Sequence, residues 1–261
     1  MAGGIRNSTT QGVQKAVRLL NCFTASEATS LGGAELSAMM GWSQSTVYRM
    51  LSALEAGGLV QQDPATGRYV LGLQLVALAG RALANNALYS VSHPHLVRLA
   101  VATGETANLC VLDGLKVLTI DEVQGAESIK LSGWVGMRHP LHATAAGKVL
   151  LAALPEEHRD IILATGLPAL TPQTVTNPVR LLHEVERVRS AGYALTMEEL
   201  AVGLTGVAAP VRDHTGAVVA AMTVGGPSFR LTERHLEDCV MLVKKVAAAA
   251  SRALGSRISA A

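Results

Sequence analysis

The sequence predicts an α+β protein: a small domain of helices closed by a hairpin over residues 11–72, a linker helix over 73–86, and a larger α/β domain over 87–257 with a mixed, largely antiparallel sheet. Three observations lead there. Apolar residues recur at helical spacing as far as Leu54, and two short extended runs flanking Pro64-Ala65-Thr66-Gly67 follow. The stretch Leu73 to Asn86 is apolar on a face too wide for an exposed connector. Beyond residue 105, strand-like runs alternate with helical ones, and two pairs of strands are joined by short turns.

In order along the chain, residues 1–10 read as frayed, and Val13, Ala16, Val17 and Leu20 give a first helix from Gln11 to Phe23. The stretch Ala34 to Gly57 reads as a short helix, a turn at Gly41-Trp42 and a second helix capped by Ser43. Val47, Met50, Leu51 and Leu54 lie at i, i+3, i+4 and i+7, so they form one buried stripe. The opposite face carries Gln44, Ser45, Tyr48, Arg49 and Ser52, side chains that donate to phosphates and base edges, with no carboxylate among them. A helix built this way suits the major groove, and it equally suits a packed helix with a solvated face. The hairpin after it completes a winged-helix plan, with Arg68 at the wing tip placed for a phosphate or as a solvated arginine. Leu75, Val76, Leu78, Ala79, Ala82 and Leu83 then form the linker helix, whose simplest cover is a second copy of itself.

In the second domain Ser92 and Pro94 open a helix that ends at Gly104. Strands follow at 106–112 and 117–123, with weaker ones at 129–131 and 140–141. Helices are expected at 144–151, 155–164 and 178–192, strands at 193–197, 207–212 and 217–224, and a long helix at 232–257. The small residues Ala143 to Gly147 at a helix start fit either close packing on the sheet or an anion held by free N–H groups.

Composition narrows the functions. Hydrophobic content of 49% and charged content of 16% in 261 residues fit compact domains. No apolar run approaches the ~20 residues that span a bilayer, and the first twelve residues lack the apolar core of a secretory signal, so a cytoplasmic protein with no membrane partner is expected. Cys22, Cys110 and Cys239 have no ligand spacing and read as buried, reduced thiols. No phosphate loop and no nucleophile elbow occurs, and His93, His95, His139 and His142 lack nearby acidic or thiol partners; neither a cofactor nor a metal is expected. A small-molecule hydrolase using Glu199 or His142 remains an alternative without a nucleophile. Residues 1–80 carry five basic and four acidic side chains, so one copy of the first domain would bind DNA weakly and several copies would be required.

Taken together, VQKAVRLLNCF, WSQSTVYRMLSALEAGGLV, GRYVLGLQLVALA, LVRLAVATGETANL, VGMRHPLHATAAGKVLLA, VRSAGYA, EELAVGLTGVAAPV and VVAAMTVGGP resemble, in order and spacing, the IclR family of bacterial transcriptional regulators. Where the family often has proline, this chain has Ser43. The resemblance implies a dimeric winged helix-turn-helix DNA-binding domain and a GAF-like effector-binding domain that often builds tetramers. It further implies a pseudo-palindromic double-stranded operator and a small-molecule effector. DNA contacts would fall on Gln44, Ser45, Thr46, Tyr48, Arg49 and Arg68. The effector would meet Ala145, Ala146, Thr196, Gly206, Thr223 and Gly225, with Leu109, Leu131, Trp134 and Met137 as apolar walls. Hydroxyls at two of these positions and bare backbone at Gly206 and Gly225 favour a ligand with one carboxylate and an apolar body, such as a catabolic metabolite. A constitutive DNA-binding oligomer without effector stays open beside that expectation.

Overall fold

The computed structural model describes residues 3–26 and 28–257. The chain divides into two compact units, Met1–Asn85 and Asn86–Ala261. In the first, α1 (Gly3–Ala25), α2 (Gly33–Met40) and α3 (Gln44–Ala56) pack together, and β1 (Val60–Gln62) pairs antiparallel with β2 (Tyr69–Leu71). The first helix thus begins at Gly3, inside the stretch expected to fray. Its Leu19 closes over Leu36, Val47 and Leu51, all fully buried, and Met50 is only partly covered beside them. Gly41 turns the chain between α2 and α3 at φ 66°, a conformation that glycine adopts without the Cβ penalty.

Helix α4 (Gln74–Ala84) has no buried residue: Leu73, Val76 and Leu78 are 81%, 67% and 52% exposed. That is the apolar face read from the sequence, and no described residue buries it.

The second unit is a three-layer sandwich. Its sheet runs β5 (Arg138–Pro140), β4 (Lys116–Val123), β3 (Thr106–Asp113), β8 (Val218–Pro227), β7 (Leu204–Arg212), β6 (Ala194–Met197). Every pairing is antiparallel, so the sheet expected to be largely antiparallel is wholly so, with no parallel pair. The reason is connectivity: β3–β4 and β7–β8 are hairpins, and the two halves join through β3 and β8. One face packs on α5 (Ala87–Thr103) and α9 (Glu233–Ala253) through Leu96, Leu99, Met222 and Val243. The other packs on α6 (Ala145–Ala153), α7 (Glu156–Ala164) and α8 (Pro178–Ala191) through Val149, Leu150, Val185 and Ala208.

Two local expectations change. Helix α5 starts at Ala87, five residues early, because the Asn86 side chain accepts from the Tyr89 N–H at 3.2 Å and burial of the helix outweighs the donor missing at Pro94. Residues 129–131 form no strand; their backbone is tied by side chains instead, with Arg230 donating to the Ile129 carbonyl and Thr106 to that of Leu131, both at 2.8 Å.

Candidate functional site

The first candidate surface is α3. Gln44, Ser45, Tyr48 and Arg49 are exposed, while Thr46 is half-buried. Ser43 occupies the N-cap position, yet its hydroxyl bonds the hydroxyls of Ser45 and Thr46 at 3.1 and 3.0 Å, and the first turn is satisfied by its carbonyl instead. The Tyr48 ring lies across the start of α2, where a Cβ on Gly33 would come within 2.6 Å of it, so the tyrosine also packs. Arg49 has no ion pair among the described residues.

Arg68 departs from its expected role. Its guanidinium donates to the Ser30 hydroxyl (3.0 Å), the Ser30 carbonyl (2.8 Å) and Glu35 (2.7 Å), pinning the turn end of the hairpin to the loop before α2. Glu35 in turn accepts from the Gly32 N–H, and these bonds hold its carboxyl below the usual carboxylate range. The turn between β1 and β2, Pro64 to Gly67, carries no base, and Asp63 before it accepts from Ala65 and Thr66. Sequence reasoning did not place two cations that lie beside the start of α3. Lys15 and Arg18 on α1 lie 5.6 and 5.4 Å from the ring centre of Trp42, the residue before Ser43. Their i, i+3 spacing was the available signal.

The second candidate is a cavity of about 50 Å³ in the other unit, between the sheet and the start of α6. Leu131, Trp134, Ala145, Ala146, Thr196, Gly206, Thr223 and Gly225, eight of the ten residues that the resemblance proposed for an effector, line it together. Leu109 and Met137 do not. Strand β3 alternates, so Asn108 and Cys110 face the cavity while Leu109 is buried in the α5/α9 core. Met137, beside β5, is 47% exposed. Asn108, Cys110, Thr119, His139, Leu200 and Leu204 also line the wall, and the period of two along β3 could have revealed the first two.

Helix α6 reaches this cavity through close packing. Gly147 is required, because a Cβ there would lie 2.1 Å from the Leu141 carbonyl oxygen. Thr144 caps the helix by accepting from the Gly147 N–H at 3.0 Å, and no described group accepts from the N–H of Ala145 or Ala146. Those two donors and the positive end of the helix dipole point to an anion. No charged side chain lines the cavity. The Cys110 thiol is pushed up to about 12 by burial, so it is neutral.

Behind α6, the Lys148 ammonium is 1% exposed and donates to both Glu199 carboxylate oxygens and to Glu184, each at 2.6 Å. Burial raises the Glu199 pKa against the pull of Lys148. Thr171 and Thr174 hold the carbonyls of Glu198 and Glu199 at 2.6 and 2.7 Å, and Glu198 sits at φ 58°. This clamp fixes the loop that carries Leu200 into the cavity wall. Glu199 and His142 are therefore structural. The His142 ring donates its Nε2–H to the Pro168 carbonyl at 3.0 Å, and neither residue lines the cavity. Among the described residues no His, Cys, Asp and Glu cluster could hold a metal, and no helix is long and apolar enough to cross a membrane.

Comparison with known proteins adds the following. A family profile described as IclR helix-turn-helix domain matches residues 12–64, and one described as Bacterial transcriptional regulator IclR C-terminal matches residues 80–252. The HTH-type transcriptional repressor AllR of Escherichia coli (strain K12) is 34% identical over 246 residues, covering 94% of this chain and 90% of AllR. An IclR transcriptional regulator from Alicyclobacillus acidocaldarius superposes with a TM-score of 0.85 at 28% identity, covering 94% of this chain and 99% of that one. An IclR homolog from Microbacterium hydrocarbonoxydans, complexed with 4-hydroxybenzoate, superposes at 0.80 and 26% identity, covering 93% and 98%.

Replacing Lys148 with methionine leaves the buried Glu199 carboxylate without its cation and Glu184 with only Arg180 and Arg187, at 3.5 and 3.8 Å, so urea unfolding at pH 7 should show a loss of about 3 kcal/mol. His139 and His142 are held below the usual imidazole range, chiefly by burial. Each stays neutral in the fold but charges at about pH 6.5 in the unfolded chain. Their contribution is full above that pH and is lost as pH falls below it. The melting temperature should therefore drop between pH 7.5 and 5.5, and the drop should shrink in His142→Asn.

Proposed function

Because this chain belongs to the IclR family of bacterial transcriptional regulators, which are DNA-binding proteins and not enzymes, we propose that α3 reads operator DNA and that the cavity at α6 holds the effector modulating that binding. The observation that carries the DNA assignment is the exposed, acid-free face of Gln44, Ser45 and Arg49 over a fully buried stripe of Val47 and Leu51. Thr46 and Tyr48 support it from the flanks, and Arg68 acts by holding the hairpin in place.

The near-neutral charge of the first 80 residues makes one reading head a weak binder, so at least two work together on a pseudo-palindromic site. The bare apolar face of α4 supports pairing of two copies, as a homodimer that can build a homotetramer. For the effector, the unpaired N–H groups of Ala145 and Ala146 beside the hydroxyls of Thr196 and Thr223 favour a single carboxylate, with Leu131 and Trp134 as apolar wall. The homolog holding 4-hydroxybenzoate, a carboxylate, is consistent with this. The cavity is narrow, about 50 Å³, which favours a small acid.

Arg49→Ala should weaken binding to DNA upstream of the protein's own gene at least tenfold in a mobility-shift titration, with effector binding retained. Undiminished affinity would remove α3 from the interface. Ala145→Trp should fill the cavity, leaving DNA affinity in the absence of effector unchanged and abolishing the response to any small carboxylate that shifts the parent protein. A normal response from the filled variant would move the site elsewhere.

A further inference from the structure

Strand β6 ends the six-stranded sheet, with β7 on one side and no strand on the other. The Glu198 N–H donates at 2.7 Å to the carbonyl of Leu204, the residue directly opposite, and this sets the alternation of the antiparallel pair. Ala194 and Thr196 therefore bond β7. The main-chain N–H and C=O groups of Leu195 and Met197 point outward, where no described group bonds them. Edge strands are ordinarily blunted by a charged side chain, a proline or a bulge, because a bare edge templates another strand. Residues 194–197 carry none of these devices.

A groove of about 510 Å³ runs along this edge, walled by α8. Its two sides differ in character. On the α8 side Arg180 and Arg187 reach solvent, with side chains 67% and 78% exposed, and approach Glu184 at 3.5 and 3.8 Å. The acids of the groove, Glu184 and Glu199, are both bonded to the buried Lys148, so three cations face two carboxylates. On the opposite face of the sheet Leu195 packs toward the α5/α9 core, and Met197, two residues on, is 53% exposed.

We propose that the β6 edge docks an extended segment of a partner protein, added as a seventh strand and alternating acidic with apolar residues. Main-chain bonds to Leu195 and Met197 supply affinity, and the alternation supplies selectivity. A strand laid beside β6 sends successive side chains to opposite faces, one set toward Arg180 and Arg187 and the other beside Leu195 and Met197. Guanidinium groups pair with carboxylates, so the first set is acidic and the second apolar. A second copy of this chain fits less well, because pairing through the same edge brings two arginine-bearing walls together. The site is separate from α3 and from the cavity at α6, and stands or falls without them.

Fluorescence anisotropy of the full chain tests this with two acetylated, amidated hexapeptides, one alternating valine with glutamate and one alternating valine with lysine. The glutamate peptide should bind at least tenfold tighter. Methylating the valine nitrogens removes the N–H groups along one edge of that peptide, and methylating the glutamate nitrogens removes those along the other. One methylated peptide should bind like its parent and the other at least tenfold more weakly. Met197→Pro deletes an outward N–H at an edge position that tolerates proline, so it should weaken the glutamate peptide at least tenfold with the melting temperature retained. Arg180→Gln combined with Arg187→Gln should bring the two unmethylated peptides to within about threefold. Equal binding of those two by the parent protein, binding of neither, or equal behaviour of the two methylated peptides overturns the proposal. A sedimentation mass halved by Met197→Pro gives the edge to a second copy and overturns it as well.

Discussion

A buried ammonium fixes the geometry of the second unit. Lys148 is sealed between α6, α8 and the loop after β6, and three carboxylate oxygens surround it at 2.6 Å. An unpaired charge in such a place would cost several kcal/mol, so helix and loop cannot separate without stranding it. The start of α6 and Leu200 are consequently held on two sides of the same small volume. A second buried pair, Arg230 with Glu105, fastens the opposite side by binding the Ile129 carbonyl near Leu131. The cavity is thus bounded by segments that charge holds in place, while its own lining is free of charge.

That division has an electrostatic consequence. Helix N–H groups and hydroxyls would attract a single negative charge through partial charges only, so under the proposed function affinity would depend on fit and on the neutral groups around it. In the first unit, likewise, charge is spent on structure. Arg68 is consumed by Ser30 and Glu35, and Lys15 and Arg18 gather at Trp42 beside the start of α3. Under the proposed function, a head with so little free positive charge would depend on pairing, for which the exposed face of α4 offers a surface.

Much of this was legible in the chain. The stripe of Val47, Leu51 and Leu54 and the polar face opposite follow from helical spacing alone, and all three apolar residues are buried. The positions around α6 came through the resemblance, and eight of the ten expected lining residues do line the cavity. The failures share one cause. Leu109 was assigned by its apolar character, whereas in a strand covered on both faces apolar side chains point both ways. Asn108 and Cys110, its neighbours, face the cavity because of register with β4 and β8, a relation between residues far apart in sequence. Arg68 was placed by its nearness to a turn, and its partners Ser30 and Glu35 lie more than thirty residues upstream.

The sequence by itself determined the periodic features: the helices and strands, the helical head with its hairpin, the family, and the small residues at the start of α6. These depend on neighbours within a few positions, where spacing and side-chain size decide the outcome. Only the tertiary structure decided that the sheet is wholly antiparallel and that Lys148 meets Glu184 and Glu199. Each of those joins segments tens of residues apart, and desolvation sets its energy, which no local pattern in the chain encodes.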